Sequence, residues 1–514
     1  MKYFLTLIQL WVGFLSICAS YPKANIWIIP SVESPQVYRN YAQTSKVHLE
    51  MARGEVEHIQ LVFPSKVNEE YRFTFDRYLK GIQISARELK KMNGYYDALV
   101  PFKNQLKCTD TLTAVWITVQ CPSRVPVGKY HQTIKIEGSK HFTIQLDYNV
   151  HHTTIPLKSS IPITVGVENR CMTEGLNDKE ADKERQRWVD FVLSYRMTPV
   201  FGTQITPERW QYEHSFSPWA WNDKRSIRLL NDRRYSCYML PFFTLSENEL
   251  ASLLCNIQKK GKLKESLFYI WDEPAYMEDY EQIKRKVNII RKYASDARIL
   301  TTFFCGPRNG PRKGDLYAVF DYLKHHIHVA TISLAPCKGN EEEVQHIRYK
   351  VPEGIDWWSY VCWQPGGNEP NFLLQMKGIQ QRAVMWRTWK NGSQGFLYWN
   401  CNIYHKRNPF TYITDMPHGD GILIYPGDIL GRKGPIASAR LERWRDGAEE
   451  MELLRLVEKN YSKEKADTLL NIVYSSPLSF IEKAHNIPFF RKELLDQLDK
   501  TIPIDYKLRI TDFI

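Results

Sequence analysis

The sequence predicts a multidomain chain that combines all-β and α/β parts: an N-terminal β-sandwich, then a (β/α)8 TIM-type barrel, then C-terminal helices. Three observations carry that expectation. Short alternating strands fill the first part of the chain, apolar strands then alternate with amphipathic helices eight times, and the last stretch is helical in its spacing. At 514 residues the chain is too long for one core. The expected units are residues 1–20 as a signal peptide, 21–155 as the sandwich, 156–435 as the catalytic barrel, and 436–514 as a helical segment packed on the barrel.

The segment 1–20 has the layout of a cleavable export signal. Lys2 precedes an apolar run from Tyr3 to Ile17, and the small pair Ala19 and Ser20 stands just before Tyr21. A spanning helix needs about 20 apolar residues, and Gln9 interrupts this shorter run. An exported protein, periplasmic or secreted, without stable membrane insertion is therefore expected. A lipid anchor at Cys18 is disfavoured, because Ile17 rather than a small residue precedes it. Nine further cysteines, with no C-x-x-C pair among them, give neither a zinc ribbon nor a dense disulfide framework. Most read as small buried hydrophobes, and a Cys108–Cys121 pairing stays open. Although the formal charge is +12, lysines and arginines alternate with acids, as in "KEADKERQR", so no nucleic-acid partner is expected.

From Asn25 to His152, "HIQLVF", "RFTFDRYL", "AVWITVQ", "YHQTIKIEG" and "FTIQLDYNVHH" alternate or are β-branched, with turn residues between them. No chemistry is visible there, and the expected role is to brace the barrel or to contribute to the substrate surface. After the linker around Pro156 and Pro162, the strands "ITVGVEN", "TPVFGT", "SCYMLPFFTL", "SLFYIWDEP", "RILTTFF", "HIHVATISLA", "IDWWSYVCW" and "QGFLYWNCNIY" alternate with helical stretches over about 270 residues, the count and size of a (β/α)8 barrel. A doubly wound sheet is the rival, but no G-x-G-x-x-G follows a first strand.

The fourth of these strands ends in Asp272 and Glu273. Barrel sites lie at the C-terminal ends of the strands, so the two acids fall where chemistry is expected. A strand that merely runs into a helix start also favours acids, through the exposed N–H groups. The other strand ends tip the balance. Trp357, Trp358, Tyr360 and Trp363 close the seventh strand, and Tyr398, Trp399, Asn400, Asn402 and Tyr404 the eighth. Aromatic walls with amides suit a polyol stacked on one face and hydrogen-bonded at its rim. The expected substrate-binding set is Tyr360, Trp358, Trp363, Trp399, Asn400 and Tyr404, and a glycan is the expected partner.

Double displacement at a sugar needs a second carboxylate about 5 Å from the acid. The sixth and seventh strands end "TISLAPC" and "SYVCWQ" without one, and Glu369 is the only nearby candidate. The adjacent pair suits substrate assistance instead, in which a 2-acetamido oxygen attacks the anomeric carbon. Glu273 is assigned as general acid/base and Asp272 as the residue that orients the acetamido group, with Tyr360 as a donor to the developing oxazoline. No metal or other cofactor is required. The histidines of "HHIH", His325, His326 and His328, lack an acid or cysteine at matching spacing and read as structural.

The motifs "YIWDEP", "ARGEVEHIQLVF", "WWSYVCWQPGGNEPN", "GFLYWNCN", "GDGILIYPG" and "RLERWRDGAEEMELL" together resemble glycoside hydrolase family 123 over nearly all of the chain after residue 20. The resemblance implies a sandwich-plus-barrel fold and exo-β-N-acetylgalactosaminidase activity by substrate assistance, with an adjacent Asp-Glu pair that maps onto Asp272 and Glu273. His405 and Lys406 depart from the pattern and bear on subsite specificity. The late motifs also have local readings. "HGDGILIYPG" is a turn and ribbon near the barrel mouth, with Asp420 favoured as a turn cap over a substrate contact. In "RLERWRDGAEEMELLRLVEKN" the apolar spacing is helical, and Arg440, Glu442, Arg445, Asp446 and Glu449 are expected as surface and inter-element ion pairs. Two readings compete with an N-acetylhexosaminidase: a non-catalytic carbohydrate-binding protein, and a double-displacement glycosidase with Glu369 as nucleophile.

Overall fold

The computed structural model describes residues 26–76, 79, 81–201, 231–240, 246–404, 409 and 419–501. The predicted signal segment with Cys18, and the pair His405 and Lys406, lie outside them.

Two five-stranded sheets face each other at the N-terminal side. One has the order β1 (Trp27–Pro30), β3 (Val56–Pro64), β8 (Leu112–Gln120), β5 (Gln83–Met92), β6 (Tyr95–Pro101). The other runs β2 (Lys46–Arg53), β10 (His141–Thr154), β9 (Gly128–Glu137), β4 (Glu70–Phe75), β7 (Gln105–Lys107). Pairing is antiparallel except between β2 and β10. Period-two alternation explains the packing. Along β8, Val115, Ile117 and Val119 enter the core between the sheets, whereas Ala114 and Trp116 join the cluster shared with the barrel and the C-terminal helices. The first sheet is thus buried on both faces, which is why β3 is buried from Val56 to Phe63. Cys108 and Cys121 are buried free thiols, as are most of the other seven cysteines described.

The eight strands expected of the barrel all form: β11 (Ile163–Val167), β12 (Thr198–Phe201), β13 (Tyr238–Leu240), β14 (Ser266–Trp271), β15 (Arg298–Phe303), β16 (Val329–Ser333), β17 (Asp356–Val361) and β18 (Phe396–Tyr398). They pair in parallel in the order β12-β11-β18-β17-β16-β15-β14-β13, so the last strand returns to the first and the ring is nearly closed. At the remaining seam, Thr198 Oγ1 accepts the Ser236 amide N–H at 3.2 Å. Inward positions such as Leu267, Tyr269, Leu300, Val329, Trp358, Tyr360 and Leu397 form one interior cluster, and their neighbours Phe268, Ile270, Ile299, Trp357 and Phe396 face the surrounding helices.

The expected helices are present. α1 (Asn169–Thr173) is a single short turn, and α2 (Asp178–Ser194) and α3 (Glu247–Lys259) each start with a reciprocal capping box, from Asn177 with Glu180 and from Ser246 with Glu249. α4 (Met277–Tyr293), α5 (Ala318–Leu323), α6 (Glu341–Lys350) and α7 (Gly378–Lys390) complete the ring. The predicted ribbon forms from β19 (Ile424–Pro426) and β20 (Pro435–Ala437). α8 (Ala439–Asn460), α9 (Lys463–Leu470) and α10 (Ile487–Asp499) close the chain.

α8 forms where the apolar spacing is helical, but it is not on the surface. It is buried on every side for most of its length, because it lies among α7, α10, the barrel and the first sheet. Its charges are inter-element pairs, as expected, but none of the five singled out in the sequence is on the surface: Arg440, Glu442, Arg445, Asp446 and Glu449 are all buried. Most of their partners sit on other elements, although Arg445 also pairs with Glu442 of its own helix. Arg382 of α7 holds Asp446 at 3.0 Å and Glu450 at 2.6 Å, Arg196 holds Glu449 at 3.1 Å, and Arg440 holds Asp97 at 2.9 Å. Arg491 of α10 reaches Glu55 at 2.7 Å and Glu57 at 2.9 Å on the sandwich.

Candidate active site

β14 carries the adjacent acids into the barrel mouth by breaking its own regularity. Tyr269 lies opposite Leu300 of β15, but Trp271 lies opposite Thr301, so one extra residue bulges out of the ladder. A bulge re-aims the side chains that follow it. Glu273 then adopts φ +47°, a left-handed conformation that a residue other than glycine holds at a cost of about 1–3 kcal/mol. In a regular strand Asp272 and Glu273 would point to opposite faces; here both meet side chains from the barrel interior.

Asp272 Oδ1 accepts the Tyr269 hydroxyl at 2.7 Å and Thr302 Oγ1 at 2.6 Å. Thr302 Oγ1 in turn accepts the Glu273 amide N–H at 3.0 Å, so a single hydroxyl ties the two acids together. The Tyr360 hydroxyl donates to Glu273 Oε1. Burial, with the neighbouring carboxylates adding to it, pushes both phenols well above their ordinary range, so each stays a neutral donor. Both acids are half-buried. Tyr269 and Tyr360 belong to the same interior cluster as Trp358 and Cys362, and Trp399 packs against it.

The residues expected to bind substrate do not all gather at the acids. Tyr360 and Trp399 are with the acids. Trp358 is 1% exposed and lies on bare Gly395, where a Cβ would come within 2.1 Å of its ring, so it fills the barrel below the mouth. Trp363, 41% exposed, stands on the loop after β17. Asn400 is buried, and its Oδ1 accepts the Asn402 amide at 2.9 Å, which shapes the turn after β18. Tyr404 lies elsewhere. It packs in a separate cluster with Met92, Ala98 and Val100 of the sandwich and Ile422 and Tyr425 of the ribbon, because the chain has by then left the barrel for the inter-element seam. Glu369 is ion-paired to Arg387 at 2.8 Å, and Arg387 also holds Glu341 at 2.8 Å. That pairing weighs against a nucleophilic role.

Thr302 escaped the sequence reading, and Asp420 is read there for a different role. Thr302 sits at an inward position of the fifth strand, in phase with Leu300, and strand alternation alone is enough to find it. Asp420, expected as a turn cap, is a buried carboxylate whose Oδ1 accepts the Tyr398 hydroxyl and Trp399 Nε1, each at 3.0 Å. Burial pushes its pKa up to about 6. It fixes the Trp399 ring at the barrel mouth. The flanking Gly419 and Gly421 are both left-handed, at φ +85° and +72°, and a Cβ on Gly421 would meet the Trp399 ring at 2.6 Å. No group of three or more His, Cys, Asp or Glu placed to hold a metal ion occurs among the described residues. His328, from the histidine run, accepts the Ile299 amide at its Nδ1 at 3.2 Å.

Comparison with known proteins agrees with this architecture. A family 123 glycoside hydrolase from Clostridium perfringens, studied for its hydrolysis of glycolipid glycans, superposes with a TM-score of 0.67 at 13% identity, over 95% of this chain and 100% of that one. At that identity the likeness speaks for the fold. Weaker likenesses include an FMN-binding β-glucuronidase from Facaelibacterium prausnitzii L2-6, with a TM-score of 0.33 and 10% identity over 82% of this chain and 62% of that one. A GH2 β-galacturonidase from Eisenbergiella tayi gives 0.34 and 8% over 77% and 90%. No curated protein matches the chain. The model of the glycoside hydrolase 123 catalytic domain matches residues 183–457, more than half of the sequence and the whole of the barrel after α2. The chain belongs to glycoside hydrolase family 123 and is a glycosidase.

Proposed function

We propose that the enzyme removes terminal β-linked N-acetylhexosamine, N-acetylgalactosamine above all, from glycans by substrate-assisted catalysis with retention. The observation that supports this reading most is the joining of Asp272 and Glu273 by the Thr302 hydroxyl at one strand end, while Glu369 is held by Arg387. In the proposed first step the acetamido oxygen of the substrate attacks its own anomeric carbon as the glycosidic bond breaks. Glu273 gives its proton to the leaving oxygen. Asp272, its Oδ1 held by two hydroxyls, accepts the acetamido N–H and favours the charge that develops on the oxazolinium ring. Glu273, now a carboxylate, then takes a proton from water as the water attacks the same carbon and reopens the ring.

Tyr360, a neutral donor beside Glu273, is the proposed holder of the acetamido oxygen once substrate displaces its present bond. The half-buried Trp399 ring, fixed by Asp420, is the proposed stacking wall, with exposed Trp363 for the sugar that leaves. The glycolipid glycans of the Clostridium perfringens relative suggest the same substrate class here. We take residues 1–20 as a cleaved export signal, which puts the enzyme where such glycans are met.

4-Nitrophenyl glycosides that differ only at C2 and C4 test the proposal. Hydrolysis restricted to 2-acetamido sugars, inhibition by a thiazoline analogue and its loss in Glu273→Gln are expected. Equal turnover of sugars with a 2-hydroxyl, without thiazoline inhibition, restores double displacement. An inactive wild type across a broad glycan panel favours a binding protein.

A further inference from the structure

Among the described residues, the buried arginines face carboxylates, with one exception on α8. Arg440 and Arg445 of that helix are paired to Asp97 and Glu442, and Arg382 and Arg491 beside it have two or three acids each. Arg443 is 5% exposed and has no carboxylate within ion-pair distance among the described residues. Its Nε donates to the Ser31 carbonyl at 2.8 Å and its Nη1 to Gln381 Oε1 at 2.8 Å. The guanidinium stands 5.6 Å from the centre of the Trp116 ring. Nη2 makes no hydrogen bond among the described residues. A buried cation without a counter-charge is costly, and burial accordingly pulls the Arg443 pKa down to about 10. The chain nonetheless keeps room for it: Gly378 at the start of α7 is bare, and a Cβ there would meet Arg443 Nε at 2.6 Å.

Arg443 lines an open cleft of about 640 Å³ between the first sheet and the start of α7. Tyr41, Tyr95 and Tyr96 supply aromatic faces, Tyr95 being 41% exposed, and Gln36 and Gln375 supply amides. That size and mixture suit a sugar residue or two. Of the acids in the same cleft, Asp97 is in a buried ion pair with Arg440, while Glu482 is exposed beside Lys377, 3.8 Å away. Glu33 is hydrogen-bonded to Tyr41. The loop that leaves the seventh barrel strand with Trp363 ends at this cleft, in Gln375 and Lys377, so the cleft lies on the side of the barrel from which the strand ends emerge.

We propose that this cleft is a second glycan-binding site, separate from the barrel mouth, that takes an anionic sugar with its carboxylate or sulfate on Arg443 and its ring against the tyrosines. The site recruits acidic glycans to an enzyme whose barrel mouth reads a neutral acetamido sugar. It does not depend on which sugar the barrel cleaves.

The test uses full-length Glu273→Gln protein, which does not consume the probe, with a thiazoline analogue occupying the barrel. Calorimetry then compares a chondroitin sulfate hexasaccharide, its desulfated form, which keeps the uronates, and a desulfated, carboxyl-reduced form, which is neutral. The charged probes are expected to bind at least about 10-fold more tightly than the neutral one, and the desulfated arm says whether carboxylate suffices. Tyr95→Ala, at an exposed position, is expected to weaken binding about fivefold, and Arg443→Gln to remove the preference for charge. Equal affinity for the neutral probe, no binding of any charged probe below about 1 mM, or full affinity in Tyr95→Ala overturns the proposal. Hydrolysis of nitrophenyl glycosides by the wild type is read separately, so failure of the second site is distinct from failure of the proposed reaction.

Discussion

Carboxylates gather in two regions of this molecule, and the partners they keep differ. Along α8, Glu442, Asp446, Glu449 and Glu450 meet Glu55 and Glu57 of the sandwich, and the cluster is threaded by Arg382, Arg491, Arg196, Arg445 and Arg87. At the barrel mouth, the described partners of Asp272 and Glu273 are the hydroxyls of Tyr269, Thr302 and Tyr360, and Asp420 adds a phenol and an indole N–H. Arginine fixes a carboxylate as an anion and spends its lone pairs on structure. Neutral hydroxyls orient a carboxylate and leave it free to exchange a proton. The first arrangement joins domains, and the second suits catalysis.

The comparison breaks if substitutions in the two regions have the same effect. Glu273→Gln should produce the largest change, a fall in kcat/KM of about 10²–10⁴-fold on an oligosaccharide, with the melting temperature within about 2 °C of wild type. A large loss of stability instead would move Glu273 into the structural class. Glu450→Gln should do the converse. It leaves Arg382 and Arg491 short of a buried counter-charge, so a loss of about 3–5 kcal/mol in denaturant unfolding is expected, with kcat of the folded fraction nearly unchanged.

His58 sharpens the contrast through pH. Burial lowers its pKa to about 4, well below the ordinary 6.5, despite the Glu442 carboxylate that faces it. Between those values the unfolded chain binds the proton and the folded chain does not, so the His58 contribution is complete above pH 6.5 and is lost as pH falls towards 4. His58→Gln should therefore flatten the melting-temperature profile by a few degrees across that window; parallel profiles would remove His58 from the acid response. The smallest effect is expected at Thr302→Val, about 10-fold in kcat with an upward shift of the acidic limb of its pH profile, because Asp272 loses one of two hydroxyls that favour its anion. Thr302→Ser should restore both, whereas an unmoved limb would reduce Thr302 to a packing role.

The barrel was readable because its signals are local. Period-two strands and capped helices can be counted along the chain, and the pair Asp272 and Glu273 falls at the end of the fourth strand whatever packs around it. How the two acids converge was not readable. The bulge before Trp271 and the left-handed Glu273 are set by the neighbouring strand and by Thr302. The same limit explains α8 and Tyr404. Spacing identified the helix, but its burial depends on four elements distant in sequence. Tyr404 follows the eighth strand by a few residues, yet sits against sandwich residues some 300 positions earlier. Asp420 looked like a turn residue because the indole it holds lies on another segment.

The double burial of the first sheet has a practical consequence for dissecting the enzyme. Glu449 accepts the Val56 amide at 3.0 Å and Glu442 is bonded to Arg87, so the polar side of α8 is completed by strands that precede the barrel. Excising the barrel at the linker would strip those anions of their donors and bare the apolar underside of Trp116. The modular unit, for expression, grafting or inheritance, is therefore sandwich and barrel together rather than the barrel that holds the acids.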